Sequence, residues 1–250
     1  MTGRAAAFFD LDRTLIDCNS ALLFARYERR AGRIRRRDLL QAGIWTALYH
    51  LSLADIEEAY RTALSHYRGT PDALLDARTR AWFDAEVAAR LQPGGASALA
   101  AHRAAGHPLV LITNSSQYMA SAAGERWQMD GFVGNRFPSD ADGLLDGTFE
   151  QPLCYGVGKV SRAGAWAADH GVDLAASWFY TDSLSDLPLL EAVGMPRVVQ
   201  PDPRLRRVAR QRGWPVLDWR VAISPTDLDG SDVNSAWSGG AATNAAGGPP

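Results

Sequence analysis

One short run, Ala5-Ala6-Ala7-Phe8-Phe9, breaks off into Asp10-Leu11-Asp12-Arg13-Thr14, and this junction constrains the chain more than any other stretch. A half-exposed strand would alternate apolar with polar residues, so an unbroken apolar run bounded by charge predicts a strand buried on both faces of a parallel sheet. Comparable runs stand at Pro108–Thr113, Trp178–Thr181 and Arg197–Gln200, each followed by a helix-like stretch: Tyr118–Trp127, Leu184–Val193 and Pro203–Arg212. Strands alternating with helices in this way predict an α/β fold built on a doubly wound parallel sheet. Ligands of such sheets bind beyond the carboxyl ends of the strands, so the acids after Phe9 fall where chemistry is expected.

Residues 18–91 show no strand pattern. Leu39, Leu40, Ile44, Leu48 and Leu51, then Ile56, Tyr60, Ala63, Leu64 and Tyr67, recur at helical spacing. Thr70-Pro71-Asp72 predicts a break and a new helix with the proline just inside it, and Leu91-Gln92-Pro93-Gly94-Gly95 predicts the return to the sheet. The expected organisation is an α/β core at 1–17 and 92–223, a helical cap at 18–91 inserted after the first strand, and a disordered tail at 224–250. That tail is mostly Gly, Ala, Ser, Asn, Asp and Pro, with Trp237 as its largest apolar residue. Asp142-Gly143 and Asp146-Gly147 around Leu144-Leu145 predict a small hairpin within 138–152.

Composition narrows the function classes. A net charge of −2 argues against nucleic acid held by bulk charge. No apolar stretch approaches the roughly 20 residues needed to span a bilayer. The apolar run at the start is also too short for a signal-peptide core. Two cysteines, Cys18 and Cys154, cannot form a disulfide framework and suit a reducing, cytoplasmic setting.

Asp10 and Asp12 would repel each other at the end of a buried strand, and a divalent cation would compensate them. One carboxylate can then act as nucleophile while its neighbour moves protons. Thr113 ends the second apolar run, where its hydroxyl and the Asn114 N–H are placed to hold a phosphate oxygen at a helix start. Lys159 opens an amphipathic segment after Gly156-Val157-Gly158, and Asp182 ends the Trp178–Thr181 run with Asp186 four residues on. A lysine, a hydroxyl and four carboxylates at strand and helix ends point to phosphoryl transfer with magnesium.

This ordered set of Asp-Leu-Asp-Arg-Thr, Leu-Ile-Thr, Gly-Lys and Thr-Asp-Ser-Leu-Ser-Asp resembles the haloacid dehalogenase superfamily. It is closest to the phosphoserine-phosphatase-like branch, whose cap also lies between the first two motifs. The resemblance runs from about Ala5 to Trp219. It implies that Asp10 is the nucleophile that becomes an aspartyl-phosphate and that Asp12 protonates the leaving alcohol and then activates water. It further implies that Thr113, Asn114 and Lys159 hold the transferring phosphoryl group. Mg²⁺ would sit on the Asp10 carboxylate, the Asp12 carbonyl and Asp182, with Asp186 supporting the metal or Lys159. The substrate implied is a small phosphorylated metabolite. The chain departs from the branch where phosphoserine phosphatases carry an acid for the substrate ammonium. Only Asp17 is nearby, and Arg13 replaces a small residue, so Asp17 and Arg13 are the specificity candidates and phosphoserine itself is disfavoured.

Other features read as structure. Arg29, Arg30, Arg33, Arg35, Arg36 and Arg37 form a solvated helix face. Trp45, Tyr49, Tyr60 and Trp82 read as cap packing, with one of them available to line the pocket. His50, His66, His102, His107 and His170 lack metal-ligand spacing, and Cys18 packs at the cap hinge. Transfer of the phosphoryl group to an acceptor alcohol uses the same residues as hydrolysis. A non-catalytic binding protein of this fold would have lost Asp10, Asp12, Lys159 or Asp182, and all four are present.

Overall fold

Strand β1 is Ala7–Phe9, with all three side chains shut off from solvent. The computed structural model describes residues 3–36 and 56–223. Within these, β1 lies at the middle of a six-stranded sheet. Its partners are β2 (Leu109–Ser116), β3 (Gly131–Asn135), β4 (Trp178–Thr181), β5 (Met195–Val199) and β6 (Val216–Leu217). The order is β3-β2-β1-β4-β5-β6 and every pairing is parallel. Phe8 stands level with Val110 and Phe179, and Phe9 with Leu111 and Tyr180. Successive side chains point to opposite faces, so Phe9, Leu111 and Tyr180 enter one core with Trp82 and Trp219, while Phe8, Val110 and Phe179 enter another with Val198 and Leu205. Two covered faces are the reason these strands read as unbroken apolar runs.

The layers are α4 (Pro93–Ala104), α5 (Gln117–Arg126), α6 (Val157–Asp169), α7 (Leu187–Ala192) and α8 (Pro203–Arg212). The expected helix over 184–193 is divided, a 3₁₀ turn at Leu184–Asp186 preceding α7. Strand β2 also runs beyond the expected Thr113. Residues 113–116 stay extended through a register shift against β3, and Ser116 caps α5 by accepting from the Met119 N–H at 3.3 Å. Thr113 and Asn114 therefore sit on the strand, short of a helix start. Strand β3 carries no clear periodic signal, because Gly131 and Gly134 leave it only two consecutive apolar residues.

Between β1 and β2 lie α1 (Ser20–Arg30), α2 (Ile56–Ser65) and α3 (Asp72–Trp82), then a π-helical turn (Phe83–Val87) and a 3₁₀ turn (Ala88–Arg90). Pro71 caps α3 from outside the helix, one residue earlier than expected. Trp82, Phe83 and Val87 are buried in the same core as Phe9, which anchors the end of this insertion in the body. Its two connections run side by side, because Ile16 bridges Leu91 and the Gln92 side chain donates to the Thr14 carbonyl at 2.7 Å. The periodic leucines and isoleucine at 39–51, Trp45, Tyr49, His50, Arg37 and the expected tail at 224–250 lie outside the described residues.

The expected hairpin in 138–152 reduces to one bridge, Ser139–Leu145. Its strands are too short to satisfy each other, and the remaining main-chain groups bond to the insertion instead. Gly69 N–H donates to the Leu145 carbonyl at 2.8 Å, Leu145 N–H to Thr70 at 2.9 Å and Asp72 N–H to Gly143 at 2.9 Å. No described helix is long and apolar enough to cross a membrane, and Cys18 and Cys154 are free thiols.

Candidate active site

The site is built at the carboxyl edge of the sheet. Asp10 follows β1 directly, and its N–H donates to the Tyr180 carbonyl at 2.9 Å, so the sheet ladder fixes its backbone. The chain then turns sharply. Ile16 N–H donates to the Leu11 carbonyl at 3.0 Å and Leu11 is fully buried, which pins the turn from below. Arg13 takes φ 59°, a left-handed conformation costing on the order of 1 kcal/mol for a residue with a Cβ, and projects from the turn at the cavity rim.

Lys159 comes from the first turn of α6. Gly156 precedes that helix with φ 53°. A Cβ on Gly158 would lie 2.1 Å from the Leu153 carbonyl oxygen, so only glycine lets the helix approach closely enough to aim Lys159 under the sheet edge. The lysine is 1% exposed, and its Nζ donates to Asp10 Oδ1 and to Asp186 Oδ2, both at 2.8 Å. Burial opposes its charge, yet Asp10 and Asp186 outweigh burial and hold its pKa above the ordinary lysine value. Asp186 Oδ2 also accepts from the Thr181 hydroxyl at 2.6 Å.

Burial raises the pKa of Asp10, against the pull of Lys159 and with the help of repulsion from Asp186. Asp182 is pushed well above the usual carboxylate range, first by burial and then by Asp10 and Asp186. Thr14 faces it: the Asp182 N–H donates to Thr14 Oγ1 at 3.1 Å, and that hydroxyl lies 3.4 Å from Asp182 Oδ1. Asp12 is turned toward the start of α1, where Oδ1 accepts from the Ser20 N–H at 2.6 Å. Its Oδ2 accepts from Ser20 Oγ at 3.0 Å and Ser115 Oγ at 3.3 Å. Burial raises the Asp12 pKa and these bonds hold it back.

Asp10, Asp182 and Asp186 thus share one buried edge with a single lysine, and beside Asp182 the Thr14 hydroxyl and the more distant Arg13 guanidinium offset its burial only in part. A divalent cation would relieve this arrangement, with Asp10, Asp182 and the Asp12 main-chain carbonyl as the hard oxygen donors available to it. No cluster of three or more Asp, Glu, His or Cys side chains among the described residues is arranged to hold a metal. Protein ligation would therefore draw on two carboxylates and a carbonyl.

Asp10, Asp12, Arg13, Thr113, Asn114, Lys159, Asp182 and Asp186 all line one cavity of about 400 Å³. Asp17 is absent from its lining. That side chain is 57% exposed and pairs with Arg90 at 3.1 Å, because the turn after Ile16 directs it outward, away from any buried substrate. Thr113 is buried and accepts from the Ser115 N–H at 3.1 Å.

Several residues escaped the sequence reading. Ser20 and Ser115 hold Asp12, and the helix-capping pair Asn19-Ser20 was the available signal for the first. Asn135, fully buried at the end of β3, donates to the Asn114 carbonyl at 2.7 Å and accepts from the Cys154 N–H at 2.7 Å. Tyr60, one of the aromatics expected as packing or pocket lining, does line the cavity and crosses from α2 to donate to the same Asn114 carbonyl, tying the insertion to β2. His102 and His107, neither of which lines the cavity, meet at 3.0 Å, with the other ring nitrogen of His102 2.9 Å from the Tyr180 hydroxyl.

A family model described as haloacid dehalogenase-like hydrolase matches residues 7–191. The "Inhibition of morphological differentiation protein" of Streptomyces azureus is 33% identical over 232 residues, covering 88% of this chain and 80% of that protein. A Mycobacterium tuberculosis protein named phosphoserine phosphatase SerB1 is 32% identical, covering 87% and 72% of the two chains. Among solved structures, a protein of unknown function from Bordetella pertussis superposes with TM-score 0.79 at 28% identity, covering 87% of this chain and all of the other. A phosphoserine phosphatase carrying a phospho-aspartyl intermediate analogue shares the fold at TM-score 0.65 and 15% identity, with 91% and 99% coverage.

Proposed function

We propose, on the premise that this chain belongs to the haloacid dehalogenase-like hydrolase family, that it hydrolyses the phosphomonoester of a small metabolite through an aspartyl-phosphate on Asp10. Its standing as a phosphatase follows from that family and from relatives bearing phosphatase names. The observation that carries the finer reading is the buried Lys159, bonded at once to Asp10 and Asp186 at the cavity floor. A carboxylate attacking a phosphate is repelled by it, and a buried ammonium beside the nucleophile reduces that repulsion without reorganising.

The assigned steps use this chain's own groups. An Asp10 carboxylate oxygen attacks phosphorus and the ester oxygen leaves, taking a proton from Asp12. Asp12, left as carboxylate, then removes a proton from the water that attacks the aspartyl-phosphate, and phosphate departs with Asp10 restored. Ser20 and Ser115 keep Asp12 in the cavity lining between these proton transfers. Thr113 and Lys159 hold the phosphoryl oxygens, and Asp186 keeps the Lys159 ammonium charged and aimed. Bound at Asp10, Asp182 and the Asp12 carbonyl, Mg²⁺ would neutralise phosphoryl charge.

The test is release of inorganic phosphate from a panel containing phosphoserine, histidinol phosphate, sugar phosphates and lysophospholipids. An added acceptor alcohol separates transfer from hydrolysis. An acid-quenched reaction should carry one phosphoryl group on the protein by intact mass, and Asp10→Asn should carry none. Turnover without any phosphoprotein would refute the covalent route.

A further inference from the structure

The cavity has two ends of opposite character. Its floor carries Asp10, Asp12, Lys159, Asp182 and Asp186, with Arg13 at the rim, and these are all the Asp, Glu, Lys and Arg among its described lining residues. Beyond Ser20 and Asn114 the wall passes to the helices of the insertion and to α5, where Leu22, Phe24, Ile56, Leu64, Trp82 and Tyr118 face the space, and His66, its Nδ1 3.0 Å from the Thr62 carbonyl, is the one imidazole among the described lining residues. Several charged side chains in the described part of the insertion are engaged with one another or with the body, and none of its described Asp, Glu, Lys or Arg residues lines the cavity. Glu28 is buried against Arg33 at 2.7 Å, and Arg80 pairs with Asp76 at 2.9 Å and Glu125 at 2.6 Å. Asp72 accepts from the Tyr118 hydroxyl, and Asp17 is outside with Arg90.

This distribution discriminates among leaving groups. An amino-acid alcohol would bring an ammonium and a carboxylate against an apolar wall, and burying unpaired charge is strongly unfavourable. A hydrocarbon would leave water for a matching surface. We propose that the substrate is the phosphomonoester of an apolar alcohol, its phosphoryl group at the acidic floor and its hydrocarbon portion along the wall formed by α1, α2, α3 and α5. The inference rests on the phosphatase reading above and names the substrate class of that same site. A linear chain and a ring system share this chemistry, and the two are the arms of the test.

The experiment measures kcat/KM for n-alkyl phosphates from ethyl to octyl, for phenyl phosphate and for phosphoserine. In parallel, Kd is measured for the matching alkylphosphonates, which cannot be hydrolysed. Burial of each methylene should raise both kcat/KM and affinity about fourfold, levelling off when the cavity is full. A linear occupant makes octyl phosphate the best of the set, whereas a ring makes phenyl phosphate exceed hexyl phosphate. Ala59 lines the cavity from α2, so Ala59→Trp should bring the levelling-off to a shorter chain, with melting temperature confirming that the variant is folded. A flat series in both measurements, or phosphoserine outperforming octyl phosphate, overturns the proposal. An Ala59→Trp series identical to wild type overturns its placement of the hydrocarbon. Hydrolysis of no ester at all would refute the phosphatase reading instead, and the phosphonate affinities would still decide the chemistry of the wall.

Discussion

Replacing Lys159 with Met keeps the length of the side chain and removes its charge, which makes it a direct probe of the buried acidic edge. Lysine Nζ makes two ion-paired hydrogen bonds at 2.8 Å to carboxylates that are themselves buried. Removing one partner of such a group strands the others, which costs about 3–5 kcal/mol. Part of that cost is avoided by protonation, because Asp10 already has a raised pKa and loses its largest counterweight in the variant. The folded variant then holds a proton that its unfolded chain releases, so its stability falls as pH rises. One such proton adds about 1.4 kcal/mol of destabilisation per pH unit. Wild-type Asp10, raised to about 7 by burial, itself loses its proton between about pH 6 and about pH 8, so the penalty relative to wild type should grow by about 1–1.5 kcal/mol. The assay is urea unfolding of metal-free wild type and Lys159→Met at both pH values, with circular dichroism to establish that the variant folds. A penalty below about 1 kcal/mol, or one that does not change with pH, would refute the view that Lys159 compensates buried charge. Turnover at saturating substrate should fall by at least about 100-fold, since an electrostatic partner of the transferring group is lost.

Four further outcomes are expected. Asp10→Asn should abolish turnover and leave the melting temperature close to wild type, because the amide has the same shape and no nucleophilic oxygen anion; measurable multiple turnover would remove Asp10 from its role. Activity should disappear in EDTA and return with Mg²⁺, while Ca²⁺ should inhibit because its looser coordination allows both Asp10 oxygens to engage the metal; full turnover in metal-free buffer would contradict this. Asp17→Ala should change kcat/KM by less than about twofold, since an exposed surface ion pair contributes little and Asp17 does not line the cavity. His102 is 2% exposed, and burial, with His107 and Arg197, lowers its pKa to about 3. The unfolded chain binds a proton there below about 6.5 and the fold does not, so stability present above that pH should decline by up to about 5 kcal/mol as pH falls toward 3. In His102→Gln the pH dependence of melting over that range should flatten, and an unchanged profile would refute the assignment.

The parallel sheet was legible in the sequence because both of its faces are covered, and Ala7–Phe9, Leu109–Ile112 and Trp178–Thr181 accordingly show no polar interruption. The acids at 10, 12 and 182 stood out for a related reason, since charge at the end of a buried strand has no structural excuse, whereas Lys159 and Asp186, on helical turns, stood out only through the order of the motifs. Strand β3 was not legible. Its two glycines meet a close neighbour each, Trp166 and the Ser115 and Ser116 carbonyls, and such contacts leave no periodic trace. Nor were the partners of the site residues: Lys159 reaches Asp10 across 149 positions and Ser115 reaches Asp12 across 103. The register of β1 between β2 and β4 sets those meetings. Asp17 shows the same limit from the other side, because a single turn after Ile16 decides whether a carboxylate enters a cavity or faces water. The apolar wall opposite the acidic floor is also a tertiary fact. Local patterns in a chain record which residues are buried, whereas the packing of α1, α2, α3 and α5 decides what they are buried around.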